Sequence, residues 1–429
     1  MRSPIPVSAK PLRLSAPAPR RTRACVPART SLRFHLLALL GALALAGCVP
    51  PPVVSPPAPP HAQYRAATFA DLPGWNDDAQ AKAWPAFRIG CRTLVARPKT
   101  RLLWQDVCGK ADGVDAADNA AVRRFFEDHF TPYRIVSSDG SDRGLVTGYY
   151  EPLLHGSRTR SDAYPAPLFA PPDDLLTVEL ADLYPELHGK RVRARLDGRH
   201  VVPYWTRADI EAGKAGTQGK ALVFVSDPVD AFFVQIQGSG RVELDDGSTM
   251  RIGYADQNGQ PFRSVARVLI ERGELDVGQA SMQGIRAWGR AHPEKLPALL
   301  DENPSYVFFR ELPPPVPGSL EAIIDGPIGS LGVPLLAART IAVDTRSVPL
   351  GAPVYLDTTE PVTGTRLSRV VLAQDTGGAI RGPIRADFFW GFGDEAGQQA
   401  GRMREQGAMW LLWPTGAQLP GDDVIGTKK

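Results

Sequence analysis

The sequence is poor in the groups on which most enzyme classes rely. Its seven histidines, His35, His61, His129, His155, His188, His200 and His292, are scattered and never paired at metal-ligand spacing. No CxxC or HExxH occurs, which argues against a zinc centre. There is no Walker A loop and no dinucleotide-binding fingerprint. Gly238-Ser239-Gly240 lacks the strand-to-helix setting that a phosphate loop needs. No Gly-x-Ser-x-Gly elbow marks a serine nucleophile. The formal charge of +3 comes without a basic run, so nucleic acid is not an expected partner. No apolar run reaches the length of a membrane span, and there is no internal repeat or heptad. Carboxylates, amides, glycines and aromatics remain. Aromatic faces cover sugar C–H surfaces while amides and carboxylates bind hydroxyls, so this is the inventory of a carbohydrate site.

At 429 residues the chain should hold two or three domains, and 41 prolines with 41 glycines point to a mainly β body rich in turns, with some helices. Arg20, Arg21, Arg23, Arg29 and Arg33 precede an apolar stretch, Leu36 to Ala46, of secretory-signal length. It ends in Leu45-Ala46-Gly47-Cys48, which resembles a bacterial lipobox, so Cys48 is the expected lipidated residue and residues 1–47 the signal. Val49 follows with no Asp that would retain the protein at the inner membrane. This implies an anchor on the periplasmic face of the outer membrane. Pro50 to Pro60 holds seven prolines in eleven positions and reads as an extended spacer. The lipidated Cys and tether are expected over residues 48–68, with the folded part starting near Phe69.

Cys91 and Cys108 are left as a pair in an oxidising compartment. A disulfide would close a loop of about 17 residues and contribute on the order of 3 kcal/mol; two buried thiols are the alternative. Asn119 to Phe130 has apolar residues at helical spacing, with His129 on its packing face. Leu145 to Tyr150 is strand-like. Ala221–Val225 and Ala231–Gln237 read as short strands, the second placing Gln235 and Gln237 on one face before the Gly-Ser-Gly turn. Ser264 is a candidate N-cap for a helix ending at Gly273. Ser281–Arg290 and Lys295–Leu300 continue the helical character. Strand-length runs follow at Thr340–Val343, Val354–Leu356 and Arg369–Ala373, then a helix over Glu395–Arg404 and a buried strand over Met409–Trp413. Short strands joined this way suggest a small β-barrel.

The chemistry-bearing stretch is Ala373 to Gly393. Arg369–Ala373 delivers Asp375 to a turn, where Gly377 and Gly378 would permit a backbone geometry closed to other residues. Asp387 precedes Phe388, Phe389 and Trp390. A carboxyl beside apolar surface has its charged form disfavoured and its pKa raised, as a general acid near neutral pH requires. A plain turn and a strand end are the structural alternatives.

Ordered motifs then give a resemblance. GYYEP at 148–152, FFVQIQGSG at 232–240, GYADQNGQPFRS at 253–264, NPSYVFF at 303–309, IAVDTRSVPLGAPVYLD at 341–357 and the 373–393 stretch together resemble the membrane-bound lytic murein transglycosylase A family. The resemblance implies a discontinuous double-psi β-barrel, residues 69–147 and 263–429, and a smaller inserted β-domain, residues 148–262, with a glycan groove between them. The C-terminal part resembles a three-aspartate domain with Asp344, Asp375 and Asp387 as the aspartates. The implied reaction cleaves the β-1,4 bond between N-acetylmuramic acid and N-acetylglucosamine and leaves a 1,6-anhydro ring. Asp387 maps onto the catalytic position. Asp375 would bind sugar or support Asp387 through like-charge repulsion, and Asp344 would brace a barrel turn. Tyr149, Gln235, Gln237, Ser239, Asp256 and Trp390 map to the groove or its support. Peptidoglycan and proteins of cell-wall synthesis are the implied partners, with no metal or organic cofactor. A hydrolytic muramidase and a non-catalytic glycan-binding lipoprotein are the rival readings.

Overall fold

The structure, a computed structural model, describes residues 60–187 and 192–421. Cys48, the signal stretch and the prolines before Pro60 lie outside the described residues. The first strand, β1 (Ala62–Ala66), already pairs with β2 (Phe130–Ser137), so ordered chain begins earlier than the Phe69 expected from the sequence. Between them stand α1 (Trp84–Ala96), α2 (Pro98–Lys110) and α3 (Asn119–His129). Pro85 and Pro98 occupy first-turn positions, where a missing N–H costs nothing. The Asp118 carboxylate caps α3, and the His129 ring packs edge-on against Phe125, 4.9 Å between centroids. A Cys91–Cys108 disulfide joins α1 to α2.

After β3 (Gly144–Glu151) the chain builds a second body. Its strands are β4 (Leu153–Ser157), β5 (Ala166–Phe169), β6 (Leu176–Val178), β7 (Val192–Asp197), β8 (His200–Pro203), β9 (Ala221–Val225), β10 (Ser239–Leu244), β11 (Thr249–Gln257) and β12 (Val307–Leu312). Six of these form one sheet in the order β12-β11-β10-β4-β9-β5, and β6-β7-β8 form a small second one. Because β12 extends the edge of the larger sheet, this body reaches beyond residue 262, where the sequence reading ended it. Its helices are α4 (Arg207–Glu211), α5 (Pro228–Gln237), α6 (Val265–Glu271), α7 (Met282–Ala291) and α8 (Leu296–Asp301). Val229 and Phe232 of α5 share one apolar cluster with Val268, Ile285, Trp288 and Leu299.

The chain then passes through α9 (Leu320–Ile324) and returns to the first body with β13 (Thr340–Val343), β14 (Pro353–Thr359), β15 (Arg366–Asp375), β16 (Ala386–Phe392), α10 (Gly393–Arg402) and β17 (Arg404–Pro414). The order β17-β14-β15-β13-β16-β3 closes on itself, because the first part of β17 pairs with β3 while its later part pairs with β2. Val146, Ile341, Val354, Val371, Phe388 and Leu411 fill the interior of this ring. Each unit of apolar area removed from water there stabilises by about 25 cal/mol per Å².

One correction to the sequence reading concerns residues 231–237, which are helix α5 and not a strand. Asp227 caps the helix at Val229 N, Pro228 opens it, and Gly238 ends it at φ +81°. Those cap residues were the available signal, overridden by the β-like apolar run Phe232-Phe233-Val234.

The N-terminal helices are tied to the ring by a buried ion pair. Arg339 donates to both Asp78 oxygens, at 3.0 and 2.7 Å, while Val370 N donates to the same carboxylate at 2.8 Å. Both side chains are almost fully buried. Asp78→Ala or Arg339→Ala leaves a lone charge in the interior and should destabilise by about 3–5 kcal/mol. A urea-unfolding midpoint checks this, and the double apolar replacement Asp78→Leu/Arg339→Met should cost clearly less than either truncation.

Candidate active site

Strand β3 runs between β16 and β17, parallel to the first and antiparallel to the second. Its alternate residues Thr147 and Tyr149 point to one face. Thr147 is in register with Asp387 and Tyr149 with Phe389. The Thr147 hydroxyl donates to Asp387 Oδ1 at 2.5 Å, and Arg385 Nη2 donates to that hydroxyl at 2.9 Å. The hydroxyl thus accepts from Arg385 through one lone pair while its own proton goes to Asp387. Asp387 Oδ2 has no hydrogen-bond partner among the described residues and is not sealed from solvent.

Asp387 is thus half-buried, reachable from one side, with packed atoms around its carboxyl. Burial pushes its pKa up to about 6; the Thr147 hydrogen bond and the Arg385 charge pull the other way, and Asp375 adds a smaller upward push. Like-charge repulsion from Asp375 is therefore present, but withheld water dominates.

Asp375 ends β15 and is held at both oxygens. Ser330 donates to Oδ1 from its N at 2.9 Å and its hydroxyl at 2.8 Å, and the Tyr149 hydroxyl donates to Oδ2 at 3.0 Å. Burial raises its pKa against these bonds. Tyr149, whose ring lies 5.2 Å from that of Phe389, is pushed well above the usual phenol range by burial and by both carboxylates. It stays a donor at any physiological pH.

Asp344 is buried and does a different job. Arg346 donates to it from Nη2 at 2.6 Å and Nε at 3.0 Å, and Gly382 N donates at 2.9 Å. Burial would raise its pKa, but these partners outweigh it and hold it at about 2. The residue fastens the turn after β13 to the loop leading into β16.

That loop corrects another expectation. Neither Gly377 nor Gly378 has a positive φ, and a Cβ on Gly378 would meet open space. The position that requires glycine is Gly382, at φ +118°, which presents its N–H to Asp344.

Other residues read as groove candidates lie elsewhere. Gln235 is buried in the second body, accepting from Arg207 Nη2 at 2.7 Å and Val307 N at 3.3 Å. Gln237, pointing to another side of α5, accepts from Tyr150 N at 3.2 Å and so touches β3. Ser239 is buried at the start of β10. Asp256 sits at a β-bulge and takes the buried Arg193 guanidinium at 2.7 Å, bracing β7. Trp390 shares a strand face with Phe388, 4.9 Å away, and turns from Asp387 toward Met403. The residues that complete the site, Thr147, Arg385 and Ser330, are ordinary in sequence. Only the pairing of β3 with β16 could have singled out Thr147.

Comparisons with known proteins give the family. Residues 145–310 match the model of the MltA specific insert domain and residues 339–413 that of the 3D domain. Membrane-bound lytic murein transglycosylase A of Escherichia coli K12 is 31% identical over 287 residues, which is 65% of this chain and 68% of the relative. The crystal structure of MltA from Neisseria gonorrhoeae, monoclinic form, superposes with a TM-score of 0.72 at 39% identity, covering 83% of this chain and 94% of that one. E. coli MltA with bound chitohexaose gives 0.58 at 25%, covering 83% and 95%. The fold is therefore that of a lytic transglycosylase, an enzyme that cleaves the glycan strands of peptidoglycan. More narrowly, the chain belongs to the membrane-bound lytic murein transglycosylase A family.

The Thr147 hydrogen bond favours the charged form of Asp387, so its removal must raise that pKa further. Thr147→Val should move the alkaline limb of the pH–rate profile upward and lower turnover at its optimum by about tenfold. Turnover against pH from 4 to 9, with soluble glycan strands, checks both.

Proposed function

We propose that Asp387 is the single acid and base of the cleavage, working on a muramic acid unit bound across β16 and β3. Asp387 enters protonated and gives its Oδ2 proton to the glycosidic oxygen as the C1–O4 bond breaks. The C6 hydroxyl oxygen of the same muramic acid bonds to C1 and returns its proton to Asp387. No water is consumed, and the carboxyl ends as it began. Carrying the hydroxyl and C1 on one sugar unit supplies the proximity that makes a second carboxylate dispensable.

The observation that carries this reading is the contrast between the two carboxylates. Asp387 has one unbonded oxygen and a pKa raised to about 6, whereas both Asp375 oxygens already accept hydrogen bonds. A muramidase would need Asp375 free to activate water. The E. coli relative holds chitohexaose, and we take this chain to hold a glycan strand likewise, in a groove between the ring and the second body. We also take the ring to have double-psi topology.

Asp387→Asn should abolish release of 1,6-anhydro-muropeptides, read by mass spectrometry as products one water lighter than hydrolysed ones. The same variant should gain stability, with a definite pH dependence. Native Asp387 binds its proton more tightly than an unfolded Asp at 3.8, so its contribution is harmless well below that pH and becomes a penalty that builds as pH rises from 3.8 to about 6 and then levels off. The penalty at pH 7.5 is at most about 3 kcal/mol. Thermal unfolding should show the variant more stable than the parent at pH 7.5, with the difference shrinking as pH falls below about 4. Activity retained by the variant would remove Asp387 from the mechanism.

Membrane attachment is a separate proposal. Among the described residues no helix is long and apolar enough to cross a membrane, and the relative named above is membrane-bound by name. A lipid on Cys48, with the proline-rich stretch as spacer, would tether the enzyme to the periplasmic face of the outer membrane. Cys48→Ser should shift the protein from the membrane to the soluble fraction.

A further inference from the structure

Of the aromatic residues on β16, Phe392 is the most exposed, at 42%, whereas Phe388 and Phe389 are sealed. A lone exposed apolar side chain is ordinary. This one is held in place. Gly391 and Gly393 flank it with φ of +113° and +83°, and the register of β16 against β3 slips between Phe389 and Phe392, so that Phe392 pairs with Glu151. A bulge of this kind re-aims a side chain. The Arg241 guanidinium, from β10 of the second body, lies over the Phe392 ring at 4.3 Å from its centroid. It is fixed in turn by Glu151 at 2.9 Å and Asp325 at 3.0 Å. One face of the ring is thus backed by a pinned cation, and the exposed area belongs to the rest of it.

Phe392 stands on the face that carries Asp387. Thr147, Tyr149 and Glu151 alternate onto one face of β3, and their partners on β16 are Asp387, Phe389 and Phe392. Helix α10 packs on the opposite face, where a Cβ on Gly148 would meet Ala400 and one on Gly397 would meet the Tyr150 ring. From the Thr147 pair to the Glu151 pair the strand advances about 13 Å. The segment after α9 runs beside that same interval. Asp325 binds Arg241 at one end of it, Ser330 binds Asp375 at the other, and Ile328 is exposed between them. Asp387 and Phe392 therefore lie at two ends of one strip, with β3 and β16 as floor and residues 325–330 as an edge. The strip is longer than one sugar unit, so a ligand that touches both ends must be a chain of sugars, which the glycan strand is. An aromatic ring covers the C–H face of a pyranose, and a phenyl ring, having no polar atom, accepts either sugar of an alternating strand.

We propose that Phe392, backed by Arg241, is a platform for a sugar of the glycan strand beyond those joined at the bond being cut, so that long strands are held better than short ones. The proposal rests on Asp387 as the point of cleavage but is tested by binding. In the full chain carrying Asp387→Asn, affinity is titrated for β-1,4-linked N-acetylglucosamine oligomers of increasing length. Affinity should step up by about tenfold at the length that first reaches Phe392. Adding Phe392→Ala should remove the step and leave shorter oligomers bound as before, while Phe392→Trp, which keeps a flat ring, should retain it. The absence of a step in the parent, or a step that survives Phe392→Ala, overturns the proposal. So does an equal loss at every length, which would make Phe392 only a packing partner of Arg241. Cleavage of glycan strands by the Asp387→Asn protein would refute the catalytic assignment alone, and the dependence on length would still be read.

Discussion

The structure depends on one strand fitting into a very narrow place. Strand β3 must pair with β16 on one side and β17 on the other for the ring to close. Two of its residues can only be glycine. A Cβ at Gly144 would fall 1.8 Å from the carbonyl oxygen of Ile384, and one at Gly148 would fall 2.8 Å from Ala400 Cα. Those contacts are with backbone, so no rotamer change relieves them. With the register fixed in this way, Thr147 and Tyr149 have no choice of partner. They meet the two carboxylates that β15 and β16 bring to the same face.

The three aspartates of the ring show how little residue type decides and how much surroundings do. Asp344 is the most buried of the three, yet it is held at about 2, because a guanidinium and a backbone N–H replace the water it loses. Asp375 receives hydrogen bonds at both oxygens but no cation, and burial still raises it. Asp387 receives one short bond from Thr147 and the charge of Arg385 without a direct hydrogen bond from it, and it reaches about 6. Burial opposes ionisation in all three, and the count and charge of the donors decide whether it wins. A charged brace, a fixed hydrogen-bond acceptor and a carboxyl that titrates near 6 follow from that count.

Much of this was legible along the chain where the cause is local. Ser264 caps α6, and Thr340–Val343 and Arg369–Ala373 are strands of the ring, because cap chemistry and apolar runs are short-range signals. Cys91 and Cys108 could be paired by elimination in an oxidising setting. What failed was information carried by contacts distant in sequence. Gln235 looked like a sugar ligand because nothing in its neighbourhood announces Arg207, 28 residues away, as its partner. Thr147 lies 240 residues from Asp387, and Ser330 lies 45 from Asp375. The carboxylates announced themselves; the groups that set their protonation did not.

The strand that closes the ring also carries the attachment of the second body, and this couples the placement of that body to the site. Glu151, two residues beyond Tyr149 and on the same strand face, is buried and accepts from Arg241 Nε at 2.9 Å. Arg241 reaches on to Asp325 at 3.0 Å, and Arg251 of the neighbouring strand binds the same aspartate at 3.0 Å. Burial raises the Glu151 pKa despite the Arg241 partner, and its second oxygen is buried without a hydrogen bond. Such a network tolerates little displacement, because moving β10 away from β3 would strand a buried charge that already lacks one partner. Any motion of the second body must therefore either carry β3 with it or leave that end of the strand fixed and bend elsewhere. Since Tyr149 fixes Asp375 from the same strand, the position of one wall of the site and the placement of the second body are one mechanical variable.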